Sequence, residues 1–175
     1  MARVLILYST TDGHTLEICE RLKQVVEGRG NCVDLVSIDD AGAIDLNPFD
    51  KIVIGASIRY GRHDRQVYRF VEDKRQDLDR KPNVFFSVNV VARKPEKSRP
   101  ETNPYLQKFL GQISWRPRKL AVFAGKIDYP RYGWFDRNVI RMIMWMTKGP
   151  TDPQAVIDFT DWSQVERFGQ EVCDM

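Results

Sequence analysis

Seven consecutive residues near the start of the chain, Ser9-Thr10-Thr11-Asp12-Gly13-His14-Thr15, bring together four hydroxyls, a glycine and a histidine. Hydroxyls and free backbone N–H groups donate hydrogen bonds to phosphate oxygens without carrying charge. The segment lacks the Gly-Lys-Ser/Thr ending that cradles a nucleoside triphosphate. It also lacks the three-glycine fingerprint of dinucleotide sites. With no lysine, it suits a terminal monophosphate held by neutral donors. An ordinary strand-to-helix turn, N-capped by Thr15 or Asp12, would use the same residues, and the local sequence leaves both readings open. Other reactive groups are sparse. His14 and His63 are the two histidines, and Cys19, Cys32 and Cys173 are widely spaced and odd in number. Neither set has metal-ligand spacing or forms a disulfide framework, so no metal is expected.

A phosphate loop of this kind needs a strand before it and a helix after it. Arg3 to Tyr8 is a short apolar run, the pattern of a strand covered on both faces. Leu16, Ile18, Cys19, Leu22, Val25 and Val26 recur at helical spacing, predicting a helix from Thr15 to about Arg29. Further strands are expected at Val33–Val36, Lys51–Ala56, Val84–Val91, Leu120–Gly125 and, more briefly, Val156–Thr160. Helices are expected over 64–79, over 103–112 and from Asp161-Trp162 onward, with Asp161 as N-cap. This alternation predicts a parallel sheet covered by helices on both faces. Ligands in such folds lie beyond the carboxyl ends of the strands. That brings Ser9–Thr15, Ser57–Gly61 and Asn89–Lys94 to one site.

The bulk numbers fit one domain of 175 residues. No signal peptide and no apolar stretch of membrane-spanning length is read, and the cysteine usage fits a reducing cytoplasm. The net charge of +3 is unevenly spread: residues 91–148 carry 13 basic and 4 acidic side chains, while both flanking blocks are net acidic. Such a block points to an acidic ligand or an anionic surface. Within it, Asp128 to Gly149 is rich in Trp, Tyr, Met and Arg. A helical projection from Phe135 puts Phe135, Val139, Met142, Ile143 and Met146 on one arc. Arg137, Asn138 and Arg141 lie opposite, Lys148 completes the basic side, and Asp136 breaks the pattern. A basic amphipathic helix of this type lies on an anionic membrane or meets a flat acidic ligand; a helix packed on its own domain would show the same periodicity.

The first strand with its Ser-Thr-Thr-Asp-Gly-His-Thr loop resembles the phosphate loop of flavodoxins, with Asp12 as one residue more than the usual Thr/Ser-x-Thr-Gly-x-Thr. A resemblance over almost the whole chain is carried by Val53–Gly61, by Ser87–Lys97, by Tyr129-Pro130-Arg131-Tyr132 and by Thr160-Asp161-Trp162. These strings are similar to those of the menaquinone-dependent protoporphyrinogen oxidase family.

The resemblance implies a flavodoxin-like α/β fold: a doubly wound, five-stranded parallel sheet of order 2-1-3-4-5, with a long-chain insertion at about 126–150 splitting the fifth strand. It implies FMN as cofactor and oxidation of protoporphyrinogen IX, with menaquinone or ubiquinone taking the electrons. In that reading Ser9, Thr10, Thr11, Asp12, Gly13, His14 and Thr15 hold the phosphate. Ala56, Ser57, Ile58, Arg59, Tyr60 and Gly61 flank the isoalloxazine with Ser87, Val88, Asn89, Val90, Val91 and Ala92. The flavin carries the redox chemistry, so no catalytic side chain is expected. Arg59, Arg93, Lys94, Lys97, Arg131, Trp134, Arg137 and Arg141 would serve the substrate propionates or the membrane. The expected place is cytoplasmic, peripheral on the inner membrane, with no nucleic-acid partner; a homo-oligomer is left open. A flavodoxin-like electron carrier and an NAD(P)H:quinone reductase are the alternatives. Typical carriers are strongly acidic, which disfavours the first, and no dinucleotide fingerprint supports the second.

Overall fold

The computed structural model describes residues 1–175. Strand β1 (Arg3–Ser9) leads into helix α1 (His14–Gly28), and β2 (Cys32–Ser37) and β3 (Lys51–Ser57) follow. Helices α2 (Arg65–Asp73) and α3 (Arg75–Arg80) lead to β4 (Asn83–Asn89), and α4 (Pro104–Gln112) leads to β5 (Lys119–Ala124). Then come β6 (Lys126–Asp128), α5 (Trp134–Met146), β7 (Val156–Asp158) and α6 (Trp162–Asp174). The five long strands pair in parallel in the order β2-β1-β3-β4-β5. The chain therefore reverses its direction of travel across the sheet between β1 and β3, which opens the crevice where such folds bind ligands.

The alternation of side chains along β1 divides the core. Leu5 and Leu7 join Ile54, Phe85 and Phe109 on one face, while Val4 and Ile6 join Val53, Phe86 and Phe168 on the other. Phe85 stacks on Phe109 with centroids 4.5 Å apart, and Phe86 meets Phe123 and Phe168. Burying each such ring stabilises the fold by roughly 1.5–3 kcal/mol. Gly55 is required for this packing: a Cβ there would lie 2.1 Å from Cζ of Phe86.

Caps set the helix starts. Asp64, Asn103 and Asp161 accept from the backbone N–H groups of Gln66, Leu106 and Gln164. The single helix expected over 64–79 is broken at Lys74, whose ammonium instead reaches the carbonyl of Ile44 at 2.9 Å. The fourth strand stops at Asn89 rather than Val91. The Asn89 side chain accepts from Ala92 N at 3.2 Å and turns Val90–Arg93 into a short 3₁₀ helix.

After β5 the chain leaves for the insertion. β6 and β7 pair antiparallel as a two-stranded sheet at its base. Above them, Ile127, Tyr129, Tyr132 and Met144 form a small core of their own. The helix expected from Phe135 is present as α5, but its faces differ from the projection. Trp134, Phe135, Met142, Trp145 and Met146 are exposed, while Met144 is buried and Val139, Ile140 and Ile143 are half-buried. The two arginines of the basic side are turned inward, while Asn138 and Lys148 stay exposed. Arg137 donates to the carbonyls of Tyr129 and Tyr132, at 3.1 and 3.2 Å, and Arg141 donates to Thr151 O at 2.9 Å. Backbone carbonyls of the irregular insertion draw the guanidinium groups in, and the large exposed side chains of the outward face are apolar.

Candidate functional site

The loop after β1 is set by Gly13, which is the N-cap of α1 at φ +88, with no side-chain cap. The expected caps, Thr15 and Asp12, do not serve: Thr15 stands inside the helix, and Asp12 pairs with Arg59 across the loop. Only glycine adopts such a φ without strain. Thr10 Oγ1 accepts from Gly13 N at 2.9 Å, which fixes the turn. Thr15 is fully buried and its hydroxyl has no partner. A buried hydroxyl without a hydrogen bond costs about 1–3 kcal/mol. It stands in the first turn of α1, where backbone N–H groups and the helix dipole favour an anion. The donor set fits a phosphate.

The loop after β3 forms a tight hairpin. Arg59 and Arg62 exchange backbone hydrogen bonds, and the two residues between them, Tyr60 and Gly61, have φ of +50 and +77. That is the type I′ arrangement, in which an asparagine or glycine is favoured over a tyrosine. A bulky residue held there stores about 1–3 kcal/mol of strain and presents a half-exposed ring. Arg59 ties three segments together. Nη1 lies 3.0 Å from Asp12 Oδ2 in the loop after β1, and Nη2 lies 2.5 Å from Asp136 Oδ2 on α5. The Tyr60 hydroxyl donates to the same Asp136 carboxylate. Burial would lower the Arg59 guanidinium, but Asp12 and Asp136 outweigh it and hold the charge. The hydrogen bond from Tyr60 first, then Arg59, pulls Asp136 below the usual carboxylate range.

These segments bound a cleft of about 380 Å³, within the ~300–1,000 Å³ of cofactor and small-ligand sites. Thr10, Thr11, Asp12, His14 and Thr15 line one end, Ser57 to Gly61 one side, and Val88 to Val91 with Arg93 another. Ser9, Ala56, Ser87 and Ala92 lie beneath this surface as buried supports. Gly13 shapes the loop without lining the cleft. The inner face of α5 roofs it through Val139, Ile140, Ile143, Met144 and Thr147, and Tyr105 and Tyr132 complete the walls. Arg93 latches the far end of the roof, donating to Val90 O and to Thr147 O and Oγ1, each at 3.2 Å. Burial lowers its guanidinium from the ordinary value.

Among the cations expected to serve the substrate or membrane, Arg59 and Arg93 line the cleft, and Arg59 is already paired with Asp12 and Asp136. Arg131 donates to Asp12 O at 3.2 Å, and Arg137 and Arg141 are held by carbonyls as described. Trp134 points outward. His14 is nearly buried, with both ring nitrogens engaged by Glu17 and Thr160. His63 is buried beneath the site, its Nε2 3.0 Å from Ser87 Oγ. From there Asn89 and Asn103 continue a buried polar network to α4. Asp136 was legible only as the acidic residue that interrupts the insertion's pattern, Tyr132 only as part of the Tyr129–Tyr132 string, and Thr147 gave no local signal.

Sheet order, the hydroxyl-lined loop at the first strand end and the roofed crevice define a flavodoxin-like protein. The family model described as a flavodoxin domain matches residues 5–154. Solved structures agree on the fold: the flavodoxin, WrbA-like protein of Agrobacterium tumefaciens superposes with a TM-score of 0.54 at 15% identity, covering 99% of this chain and 96% of that one. Among curated proteins, protoporphyrinogen IX dehydrogenase (quinone) of Escherichia coli strain K12 is 42% identical over 173 residues, 99% of this chain and 96% of the relative. The Leishmania major protein of the same name is also 42% identical, over 97% of this chain and 74% of its own length. The chain belongs to the flavodoxin domain family and, within it, to the protoporphyrinogen IX dehydrogenases (quinone).

Proposed function

We propose that this protein oxidises protoporphyrinogen IX to protoporphyrin IX in haem synthesis, with FMN in the cleft and a membrane quinone, menaquinone or ubiquinone, as electron acceptor. The observation that carries the reading is 42% identity to the Escherichia coli dehydrogenase across 99% of the chain. A bound flavin supplies two-electron acceptance, so removing the six electrons and six protons of porphyrinogen oxidation takes three rounds.

The chain's own residues position and enclose. The unpaired Thr15 hydroxyl, the remaining loop hydroxyls and the first turn of α1 would hold the phosphate. Ser57 to Gly61 and Val88 to Val91 would flank the ring, with Asn89 keeping the second loop in shape through its bond to Ala92 N. The apolar inner face of α5 excludes water from the cleft. Lys94 and Lys97, together with Arg93 at the cleft wall, would meet the substrate propionates, since cations match carboxylates.

The exposed Trp134, Phe135, Met142, Trp145 and Met146 suit a lipid surface, where aromatic and thioether side chains bury at the headgroup boundary. No helix is long and apolar enough to cross a membrane. The association proposed, on the strength of that exposed apolar face, is peripheral and on the cytoplasmic face. The test is anaerobic steady-state turnover: protoporphyrin fluorescence should grow from protoporphyrinogen only when menaquinone is supplied. A rate no higher than the uncatalysed one would remove this reading.

A further inference from the structure

We infer that Asn103, which lies outside the cleft, is a positioning residue for the flavin ring: with Asn89 it forms a closed amide pair that fixes the cleft-wall segment 90–97 before a ligand arrives. The inference rests on the proposal that a flavin occupies the cleft. Asn89 and Asn103 are 14 residues apart, and both are buried, at 5% and 0% exposure. Between them the chain has no strand and only two short 3₁₀ turns, Val90–Arg93 and Pro95–Lys97. Val90, Val91 and Arg93 of this stretch line the cleft, while Lys94 and Lys97 lie just beyond.

The two amides bond to each other in both directions. Asn103 Nδ2 donates to Asn89 Oδ1 at 3.0 Å, and Asn89 Nδ2 donates to Asn103 Oδ1 at 3.3 Å. Each amide also reaches out of the pair. Asn89 Oδ1 accepts from Ala92 N at 3.2 Å, and Asn89 Nδ2 donates to Ser87 Oγ at 3.1 Å. Asn103 Oδ1 accepts from Leu106 N at 3.2 Å, and Asn103 Nδ2 donates to Lys97 O at 2.9 Å. Both donor hydrogens and both acceptor sites of each amide are thereby used.

The backbone partners fix which end of each amide is oxygen. A backbone N–H only donates, so Ala92 N must face Asn89 Oδ1 and Leu106 N must face Asn103 Oδ1. A carbonyl only accepts, so Lys97 O must face Asn103 Nδ2. Turning either amide over would set like groups against each other in a buried place, which is costly.

Capping α4 accounts for only half of Asn103. The cap uses Oδ1, and a serine or aspartate would serve it as well. The amide nitrogen is surplus to a cap, and its two hydrogens go to the two ends of the cleft-wall segment, one to Asn89 and one to Lys97. Among the residues that cap helices, only asparagine offers an acceptor and two donors together. Asn89 has no side-chain capacity left for a ligand, although it lines the cleft. Its amide serves the wall. A segment ordered in advance does not have to be ordered on binding, which raises affinity without a new contact.

The test compares the native protein with Asn103→Ser and Asn83→Ser by flavin fluorescence, with FMN and with riboflavin, at a temperature where circular dichroism shows each protein folded. Serine keeps the α4 cap and removes both donors. Asn83 is the control. It is 1% exposed at the other end of β4, and its amide likewise bonds backbone groups, donating to Leu78 O and Lys81 O and accepting from Arg118 N. Asn103→Ser should bind FMN and riboflavin about 3- to 10-fold more weakly, by the same factor, because ordering the segment then opposes binding of the ring. Asn83→Ser should lose stability but bind both flavins as the native protein does. In the flavin-free native protein, the side-chain amide protons of Asn89 and Asn103 should already exchange slowly with solvent, a reading that does not depend on a variant folding. Unchanged affinity in Asn103→Ser, an equal loss in Asn83→Ser, a loss confined to FMN, or fast side-chain exchange would each overturn the inference. Failure of the native protein to bind either flavin would remove the flavin reading itself, and the inference with it.

Discussion

Asp136 and Arg59, 77 residues apart in the chain, meet as an ion pair of 2.5 Å above the cleft. The pair joins the insertion helix to the hairpin after β3, and Asp12 on the other side of Arg59 extends it to the loop after β1. Three segments distant in sequence thus share one guanidinium.

The roof should loosen when this contact is lost. Asp136→Ala removes the acceptor of both Arg59 and Tyr60, so limited proteolysis should cut within residues 129–149 several-fold faster than in the native protein. The thermal midpoint of the whole protein should change little, because the pair lies at the surface, half-buried on the insertion rather than in the sheet core, and contributes little to global stability. Equal cleavage rates would show that the apolar inner face of α5 holds the roof unaided.

Thr15→Val should act in opposite directions on stability and on cofactor. The flavin-free protein should be as stable or more stable by about 1–3 kcal/mol, since a buried hydroxyl without a partner is replaced by a methyl. FMN affinity should fall about tenfold, as one donor to the phosphate is lost. Denaturant midpoints and flavin titration read the two effects separately. A less stable variant with unchanged affinity would show that the hydroxyl has a structural partner instead.

His63 should make the protein acid-sensitive. Burial pushes its imidazole down from 6.5 to about 3. An unfolded chain takes up the proton below about pH 6.5, and the folded one does not until about pH 3. Stability therefore falls as pH drops through that window, by up to about 1.4 kcal/mol per pH unit, and is unaffected above it. In His63→Leu that contribution disappears. Urea midpoints at pH 7 and 4.5 should converge in the variant relative to the native protein. An equal acid loss in both would place the sensitivity in other groups.

The outer face of α5 should bind lipid by its apolar side chains. Replacing Trp134 and Trp145, 79% and 75% exposed, by alanine should abolish cosedimentation with liposomes. Binding of the native protein should survive salt that screens charge, because Arg137 and Arg141 are turned inward. Binding lost in salt but kept in the double variant would restore the electrostatic reading.

The sheet was legible because its strands are unbroken apolar runs with side chains buried on both faces, as Val4 to Leu7 are. The loop after β1 was legible as a hydroxyl-rich turn between strand and helix. The insertion was not, for two physical reasons. A helix shorter than four turns has a poorly defined apolar arc, and Ile140 and Met144 were displaced from it by Phe135 and Met142. Its arginines answer to carbonyls exposed by irregular backbone, which no periodicity encodes. The bond from Asn89 to Ala92 N likewise ended a strand that Val90 and Val91 would have continued by composition.

The most direct measurement is a single anaerobic turnover followed at the flavin absorbance, ~450 nm as a property of the cofactor. FMN-loaded protein should bleach when protoporphyrinogen IX is added and regain its absorbance when menaquinone follows, with protoporphyrin formed in proportion. A flavin that is untouched by protoporphyrinogen but bleached by NADPH would contradict the account and place the protein among the pyridine-nucleotide reductases of the same fold.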